Sequence, residues 1–332
     1  AGKSSGNNSF GNPQNRGARI DGFSIVGASQ GGGIAVNGFA QYLEIGNNRI
    51  TGNAGAFSGG IRLGHPQLIN EQGNTLSYTD AVNDFVRIHH NHIARNGGRG
   101  GGAGGGLSLH TGADDYTVVS NWICGNFSSG SGAGIGHLGL SDNGVIADNT
   151  ILFNESFAQA GPTSGGGIFI SGQPGLEPVG ALLVSPGSGS VTVDSNLIRG
   201  NLAGAGDGGG IQLNAVNGED VDANSNQSSR WYRIDLVNNM INNNVAGLAG
   251  GGMSVVASPE IREILARRAV SLEETCFVGD DLIDLPPMRL AGLAAAPASA
   301  RNSEIRASNP YSRSRPDPSR AIREGERSRC QV

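Results

Sequence analysis

The stretch Asn121-Trp-Ile-Cys-Gly-Asn126 decides the fold, because its pattern recurs along the chain. The pattern is Asn-x-Ile-x-x-Asn, and its six copies begin at Asn48, Asn91, Asn121, Asn149, Asn196 and Asn239. A Gly-rich run follows each copy and ends in a glycine and an apolar residue, at Gly60-Ile61, Gly106-Leu107, Gly134-Ile135, Gly167-Ile168, Gly210-Ile211 and Gly252-Met253. Self-similarity at periods of this size predicts a solenoid.

The residues before each copy favour short strands over helices. The positions five and three residues upstream of the first asparagine are mostly apolar, as at Val86 and Ile88 before Asn91. Such alternation is typical of a strand with one buried face, and the density of Gly, Asn and Ser disfavours a helix. The fourth copy departs at Gly144 but keeps Ile146. Stacked repeats would bury a continuous apolar ladder, so we predict an all-β parallel β-helix.

The repeated asparagines have a structural explanation. A tight turn needs residues that tolerate left-handed backbone angles, and asparagine does so better than any residue except glycine. If the copies stack, equivalent amides can also hydrogen bond along the column. We therefore expect an asparagine ladder that builds the fold rather than a set of catalytic residues.

The pattern resembles the right-handed parallel β-helix proteins, which include the pectate lyases and other secreted proteins that act on polysaccharides. The resemblance covers residues 18–256, with Ala18–Val36 as a degenerate first coil. It implies a right-handed solenoid that binds or processes polysaccharide, as a polysaccharide lyase or glycoside hydrolase if it is an enzyme. A lyase of this kind would use Ca²⁺, but Asp148, Asp194 and Asp235 occupy different offsets and do not form its three-carboxylate pattern. The alternative is a non-catalytic structural or adhesin-like solenoid.

Composition limits the partners and the compartment. The formal net charge is −5, which argues against nucleic acid, and no apolar run is long enough to cross a membrane. Lys3 is the only lysine, a composition that resembles extracellular or cell-surface solenoids more than cytosolic enzymes. Cys124, Cys276 and Cys330 match no metal or redox spacing, so we expect that disulfides do not hold this fold. The sequence does not predict the oligomeric state.

A different segment begins near residue 257. Ser258-Pro-Glu-Ile-Arg reads as a helix start, and a short apolar strand then leads into Gly279-Asp280-Asp281-Leu-Ile-Asp284. Residues 257–300 resemble a C-terminal fragment of haloacid dehalogenase-like phosphatases, of the 3-deoxy-D-manno-octulosonate 8-phosphate phosphatase type. The resemblance implies a Mg²⁺ site at Asp280, supported by Asp281 and Asp284.

The rest of that phosphatase site has no counterpart in this sequence. The family's nucleophile lies in an Asp-x-Asp-Gly loop, whereas the only Asp-x-Asp here, Asp220-Val-Asp222, is followed by alanine. Without a nucleophile no aspartyl-phosphate can form, so we expect an inert short α/β-like fragment rather than a sugar-phosphate phosphatase. We expect residues 1–17 to be a flexible N-terminal segment and residues 301–332 to be a disordered Arg-rich tail.

Uneven spacing between the copies points to a functional face. The intervals after Asn91 and Asn121 are 30 and 28 residues, whereas the others are 43, 47 and 43. The extra residues fall mostly after the Gly-apolar strand, at 64–84, 172–190 and 214–231, so they should project from one edge around a notch. The sequence offers two interpretations of this notch: a solvated polar rim, or a sugar or carboxylate site. In the second, the catalytic candidates are His110, His137, Asp114 and Asp142, and the substrate-binding candidates are Arg62, His65 and Asp115.

Overall fold

The computed structural model describes residues 18–256, apart from 73–74, 100–102, 160 and 177–183, together with the short strands Cys276–Val278 and Leu293–Ala295. Those two strands pair in parallel. Our predictions for residues 1–17, for the Mg²⁺ site at Asp280, Asp281 and Asp284, and for the tail at 301–332 lie outside the described residues. The described part contains no helix that is long and apolar enough to cross a membrane.

The chain from 18 to 256 forms a right-handed parallel β-helix, as predicted. The coils run through four parallel sheets in the same order, which we number sheet 1 to sheet 4, and the first coil has no strand in sheet 3. Sheet 1 contains Arg19–Asp21, Glu44–Gly46, Arg87–His89, Thr117–Val119, Gly144–Ala147, Val191–Asp194 and Ile234–Val237. Sheet 2 contains Ser24–Val26, Arg49–Thr51, His92–Ala94, Trp122–Cys124, Thr150–Leu152, Leu197–Arg199 and Met240–Asn242.

The other two sheets complete each coil. Sheet 3 has two-residue strands, at Ala54–Gly55, Gly97–Gly98, Phe127–Ser128, Glu155–Ser156, Leu202–Ala203 and Val245–Ala246. Sheet 4 begins at the predicted Gly-apolar pairs in all coils but the first, and contains Ile34–Val36, Ile61–Leu63, Leu107–His110, Ile135–Leu138, Ile168–Ser171, Ile211–Asn214 and Met253–Val256. Every neighbouring pair of strands within these four sheets is parallel, so equivalent residues of successive coils stack in columns.

The core is a set of apolar columns that run along the solenoid. In sheet 2 the isoleucine of each motif pairs with that of the next, so Ile93, Ile123 and Ile151 are adjacent in register. All three are fully buried. Burying one such side chain contributes roughly 1.5–3 kcal/mol. A single coil cannot exclude water from its isoleucine, so stability comes from stacking.

Two tight corners join sheet 1 to sheet 2 and sheet 2 to sheet 3. At each corner one residue has left-handed backbone angles and a ladder asparagine follows it. Ser120, with φ of 55°, precedes Asn121, and Gly125, with φ of 61°, precedes Asn126. Residues other than glycine and asparagine rarely adopt these backbone angles. The corner therefore depends on the hydrogen bonds that the following asparagine makes.

The asparagines form two continuous ladders of side-chain hydrogen bonds, as predicted. Nδ2 of Asn91 donates to Oδ1 of Asn121 over 3.0 Å and to the Ile45 carbonyl of the preceding coil over 2.9 Å. Asn96 repeats both contacts in the second ladder. Each amide therefore bridges its neighbours on both sides and satisfies backbone groups that the corner would otherwise leave buried and unpaired.

Three insertions extend from the coils after the sheet 4 strands, where the spacing predicts them. The first carries an antiparallel hairpin of Ile69–Gln72 and Thr75–Tyr78. The third carries a short α-helix, Glu219–Ala223, and a 3₁₀ turn, Ser228–Arg230. Cys124 is buried and disulfide-bonded, a bond that the cysteine spacing did not predict.

Candidate functional site

The first insertion reaches the second across the two short coils. The Tyr78 hydroxyl donates to the Pro174 carbonyl over 2.9 Å, and Nε2 of Gln173 donates to the Pro66 carbonyl over 2.5 Å. The Thr111 hydroxyl, on one of the short coils, also donates to Oε1 of Gln173, which is itself buried. The interval where the sequence suggests an open notch is therefore bridged by side-chain contacts between the insertions.

His137 lies in the core of the solenoid. It pairs in register with Leu109 and Ile170, so an imidazole occupies a position that is aliphatic in the neighbouring coils. The ring is fully buried and hydrogen-bonded: Nε2 donates to the carbonyls of Gly139 and Ser188, and the Tyr116 hydroxyl donates to Nδ1 over 2.9 Å. Burial lowers the pKa of His137. His137 is therefore a neutral core histidine whose two ring nitrogens are both hydrogen-bonded.

His110 is also fully buried, beneath the first insertion. Neither of its ring nitrogens makes a hydrogen bond of good geometry, although the Leu138 backbone is near enough to interact electrostatically. Burial and then the positive charge of Arg62 lower the pKa of His110 to about 3. The ring is neutral at physiological pH. Because it is buried, a polymer in solution cannot contact it in this conformation.

Arg62, His65 and His110 surround the ring of Phe57, so three of the sequence-predicted residues lie together. The ring centroids of Phe57 and His65 are 4.8 Å apart and nearly perpendicular, and the Arg62 guanidinium carbon lies 5.7 Å from the Phe57 centroid. One terminal nitrogen of Arg62 donates to Oδ1 of Asn37 over 2.6 Å. Burial lowers the pKa of Arg62, and burial together with Arg62 lowers that of His65.

The sequence-predicted aspartates lie at the corner that leads from sheet 4 back to sheet 1. Oδ1 of Asp114 accepts the backbone N–H of Asp142 over 2.7 Å, and Oδ1 of Asp142 accepts that of Ser190 over 2.7 Å. Asp115 has left-handed backbone angles, with φ of 54°. Partial burial is the main cause that raises the pKa of Asp114. The carboxylates of Asp114 and Asp142 accept backbone N–H groups of the following coil, whereas the side-chain oxygens of the ladder asparagines accept those of the preceding coil.

The seven sequence-predicted residues thus separate into two groups and a core histidine rather than one open site. His137 packs with Tyr116, the Phe57 cluster holds Arg62, His65 and His110, and the three aspartates shape a corner. Within the part of the chain that the structure describes, no group of three or more His, Cys, Asp or Glu side chains could hold a metal ion.

An open cleft lies elsewhere, on the outer face of sheet 1 near its C-terminal end. Its floor is a column of outward side chains, Val145, Thr192 and Asp235, which are adjacent in register on three successive strands. The third insertion forms a wall with Trp231. The cleft has a volume of about 450 Å³ and is lined by Asn143, Gly144, Val145, Ser190, Val191, Thr192, Ser228, Ser229, Trp231, Arg233 and Asp235.

The cleft combines one aromatic side chain with many hydrogen-bonding groups. Nε1 of Trp231 donates to the Asn224 carbonyl over 3.0 Å, which fixes the orientation of the indole. Oδ2 of Asp235 accepts from two nitrogens of Arg233, at 3.0 and 2.7 Å. Both charged side chains remain accessible to solvent. The lining therefore offers a flat apolar surface, hydroxyl groups and a bidentate ion pair within one concavity.

Comparisons of this chain with protein-family models, with curated proteins and with solved structures find no match.

The sequence contains only part of the signal for this cleft. The intervals correctly give the insertion at 214–231, which ends at Trp231. Predicting the floor needs one more step: Asp235 lies four residues before Asn239, next to the inward-facing Leu236, so alternation makes Asp235 outward-facing beside Thr192. The inward and outward alternation of sheet 1 would have identified both residues as neighbours beneath the insertion.

Proposed function

We propose that this protein is a secreted or cell-surface β-helix that binds polysaccharide in the cleft on sheet 1. The observation that carries the proposal is the cleft itself: Trp231 lies in a wall beside a floor of Val145, Thr192 and Asp235, which three successive coils supply. Sugar rings present apolar faces and hydroxyl edges. A tryptophan can pack against the former, and Ser, Thr, Asn, Asp and Arg side chains can hydrogen bond to the latter.

The chemistry of the lining favours binding over cleavage. Glycoside hydrolysis ordinarily uses two carboxyl groups that flank the scissile bond. Among the described residues that line the cleft, Asp235 alone has a carboxyl group, and it is engaged by Arg233. Without a second carboxyl group to act as acid or base, the cleft supports a binding module of the extracellular type.

The two tryptophans of the chain allow a direct test. Trp231 lies in the cleft and Trp122 lies on sheet 2, so Trp122→Phe leaves a single fluorescent reporter in the cleft. The variant is titrated with a panel of acidic and neutral glycans, and product release is measured in parallel. We expect one class of glycan to change the fluorescence without being cleaved.

Trp231→Ala supplies the matched loss of function. The variant should lose binding of the same glycan in a calorimetric titration, while Trp122→Phe should bind like the unchanged protein. Equal affinity of Trp231→Ala and the unchanged protein would exclude this cleft as the binding site. Failure of every glycan in the panel to bind the unchanged protein would contradict the proposed function itself.

A further inference from the structure

The last coil that the structure describes, residues 234–256, has a partly exposed core. Its four strands, Ile234–Val237, Met240–Asn242, Val245–Ala246 and Met253–Val256, are terminal in all four sheets. Val255 is 60% exposed, whereas Leu213, its register partner in the preceding coil, is 7% exposed. The other inward side chains of this coil are only partly buried, whereas their register partners in the preceding coil are buried: Ile234 on Val191, Leu236 on Val193, Ile241 on Ile198 and Met253 on Ile211.

Both asparagine ladders also stop here with unused donors. In every earlier copy, Nδ2 and the backbone N–H of the ladder asparagine both donate to Oδ1 of the next asparagine, as Asn196 does to Asn239. Nδ2 of Asn239 donates to the Val193 carbonyl and that of Asn244 to the Ile198 carbonyl, both in the preceding coil. Within the described chain, no following asparagine offers Oδ1 to either residue.

The other end of the ladders is closed. The backbone N–H groups of Phe23 and Ala28 donate to Oδ1 of Asn48 and Asn53, each over 2.9 Å. Phe23 and Ala28 therefore occupy the ladder positions of the first coil, where they contribute a backbone N–H but no side-chain amide. The two ends differ chemically: one presents unused amide donors and exposed core side chains, and the other presents no ladder oxygen.

This asymmetry defines what can cover the open end. Docking a second copy head to tail would bring Phe23 and Ala28 opposite Asn239 and Asn244, and neither has a side-chain oxygen. Residues 257–332 do not supply the pattern either, because none of their Asn or Asp residues has another Asn or Asp five positions further on.

We propose that the open coil at 234–256 is a binding edge for a β-solenoid coil of another chain that carries side-chain carbonyl oxygens at both corner positions. Such a coil would continue the four sheets by main-chain hydrogen bonds, supply an acceptor to Asn239 and to Asn244, and cover Val255 and the partly buried core side chains of this coil. Strand addition to a free sheet edge derives affinity from the main chain and specificity from side chains, which here are the two corner oxygens.

A peptide of residues 143–171 is a suitable probe, since it spans one strand of each sheet and carries Asn149 and Asn154 at the two ladder positions. Its matched control carries Asn149→Leu and Asn154→Leu, which keep the side-chain size and add apolar surface but remove both oxygens. Binding to the full chain is measured by calorimetry. We expect the unchanged peptide to bind and the leucine peptide to bind at least about tenfold more weakly, because the ladder donors lose their acceptors.

Hydrogen exchange then locates the bound peptide on the full chain. Protection should increase at 234–256 and not at 19–36, and the receptor variant Asn239→Leu/Asn244→Leu should bind the unchanged peptide more weakly while keeping its circular dichroism spectrum. Three outcomes overturn the proposal: no binding of the unchanged peptide, equal binding of the leucine peptide, or protection at 19–36.

Discussion

Oδ1 of Asn149 accepts two hydrogen bonds from Asn121, from the backbone N–H over 2.9 Å and from Nδ2 over 3.0 Å. One side-chain oxygen thus holds both the main chain and the side chain of the residue one coil away. Because a second ladder repeats the arrangement at Asn126 and Asn154, each coil is fixed to the next at two corners. This double attachment sets the register of the intervening strand, where Ile123 lies on Ile151.

The position of an asparagine along the ladder should determine the cost of losing it. Asn121→Leu leaves the buried N–H of Asn91 without its acceptor and removes a side-chain donor from the carbonyl of Ile88, so we expect a loss of about 2–4 kcal/mol in the free energy of unfolding. Asn239→Leu should cost less, because Asn239 is half-buried and has no following asparagine. Urea denaturation of both variants measures the difference. Equal losses would mean that the ladder contributes no more than solvated amides do.

A charge in an isoleucine column should unfold the solenoid. Ile123 is fully buried between Ile93 and Ile151, so Ile123→Asp places an unpaired carboxyl group in the core and should cost several kcal/mol. The matched control is Phe127→Asp on the same coil, where the side chain is 41% exposed. We expect the control to keep its thermal unfolding temperature within a few degrees. An unchanged unfolding temperature in Ile123→Asp would contradict the inward orientation.

The columns of the solenoid were predictable from the sequence because each follows from a short, fixed interval between residues. The interval between Asn121 and Ile123 places one residue at a corner and the other in the core of every coil, and the structure repeats that assignment throughout. The degenerate first coil follows the same rule, since Phe23 and Ala28 occupy the ladder positions without an asparagine. Equivalent positions have the same structural role in each copy, so the pattern is still recognisable when one copy has a substitution.

The contents of the notch were not predictable in the same way. Spacing located the insertions but not their contacts, such as the bond between Tyr78 and Pro174, which lie 96 residues apart in sequence. Spacing likewise does not show that His110 is fully buried. The burial of His137 was not predictable for a different reason: its position is aliphatic in the adjacent coils, and a buried imidazole there depends on hydrogen bonds with the Tyr116 hydroxyl and the carbonyls of Gly139 and Ser188.

The two buried histidines should make the fold sensitive to acid. Their pKa values are lowered in the folded state, that of His110 to about 3, whereas in the unfolded chain both should be about 6.5. Between these values the unfolded state binds more protons, so stability falls as the pH is lowered from about 6.5 toward 3. Each histidine contributes a slope of up to about 1.4 kcal/mol per pH unit.

Replacing Tyr116 and His137 together measures how much His137 contributes to the dependence of stability on pH. In Tyr116→Phe/His137→Leu the hydroxyl and the imidazole are both removed, so neither is left without its partner. We expect a shallower decline of the unfolding free energy between pH 6 and pH 4, measured by urea denaturation at each pH. The carboxyl groups titrate in both proteins, and the difference between the two slopes therefore belongs to His137. Identical slopes would show that His137 is protonated within the fold.

Filling the cleft should abolish glycan binding without disturbing the solenoid. Thr192 lies at the centre of the floor, between Val145 and Asp235, and its side chain points outward, so Thr192→Trp occupies the cleft rather than the core. The matched control is Thr150→Trp, which makes the same change on the outer face of sheet 2 between Trp122 and Leu197. Both variants should unfold at nearly the temperature of the unchanged protein, because neither position is in the core.

Calorimetric titration with the glycan that binds the unchanged protein should give at least about a hundredfold weaker affinity for Thr192→Trp, a loss of about 2.7 kcal/mol, and no change for Thr150→Trp. Similar affinities for the two variants would place the bound glycan outside the cleft.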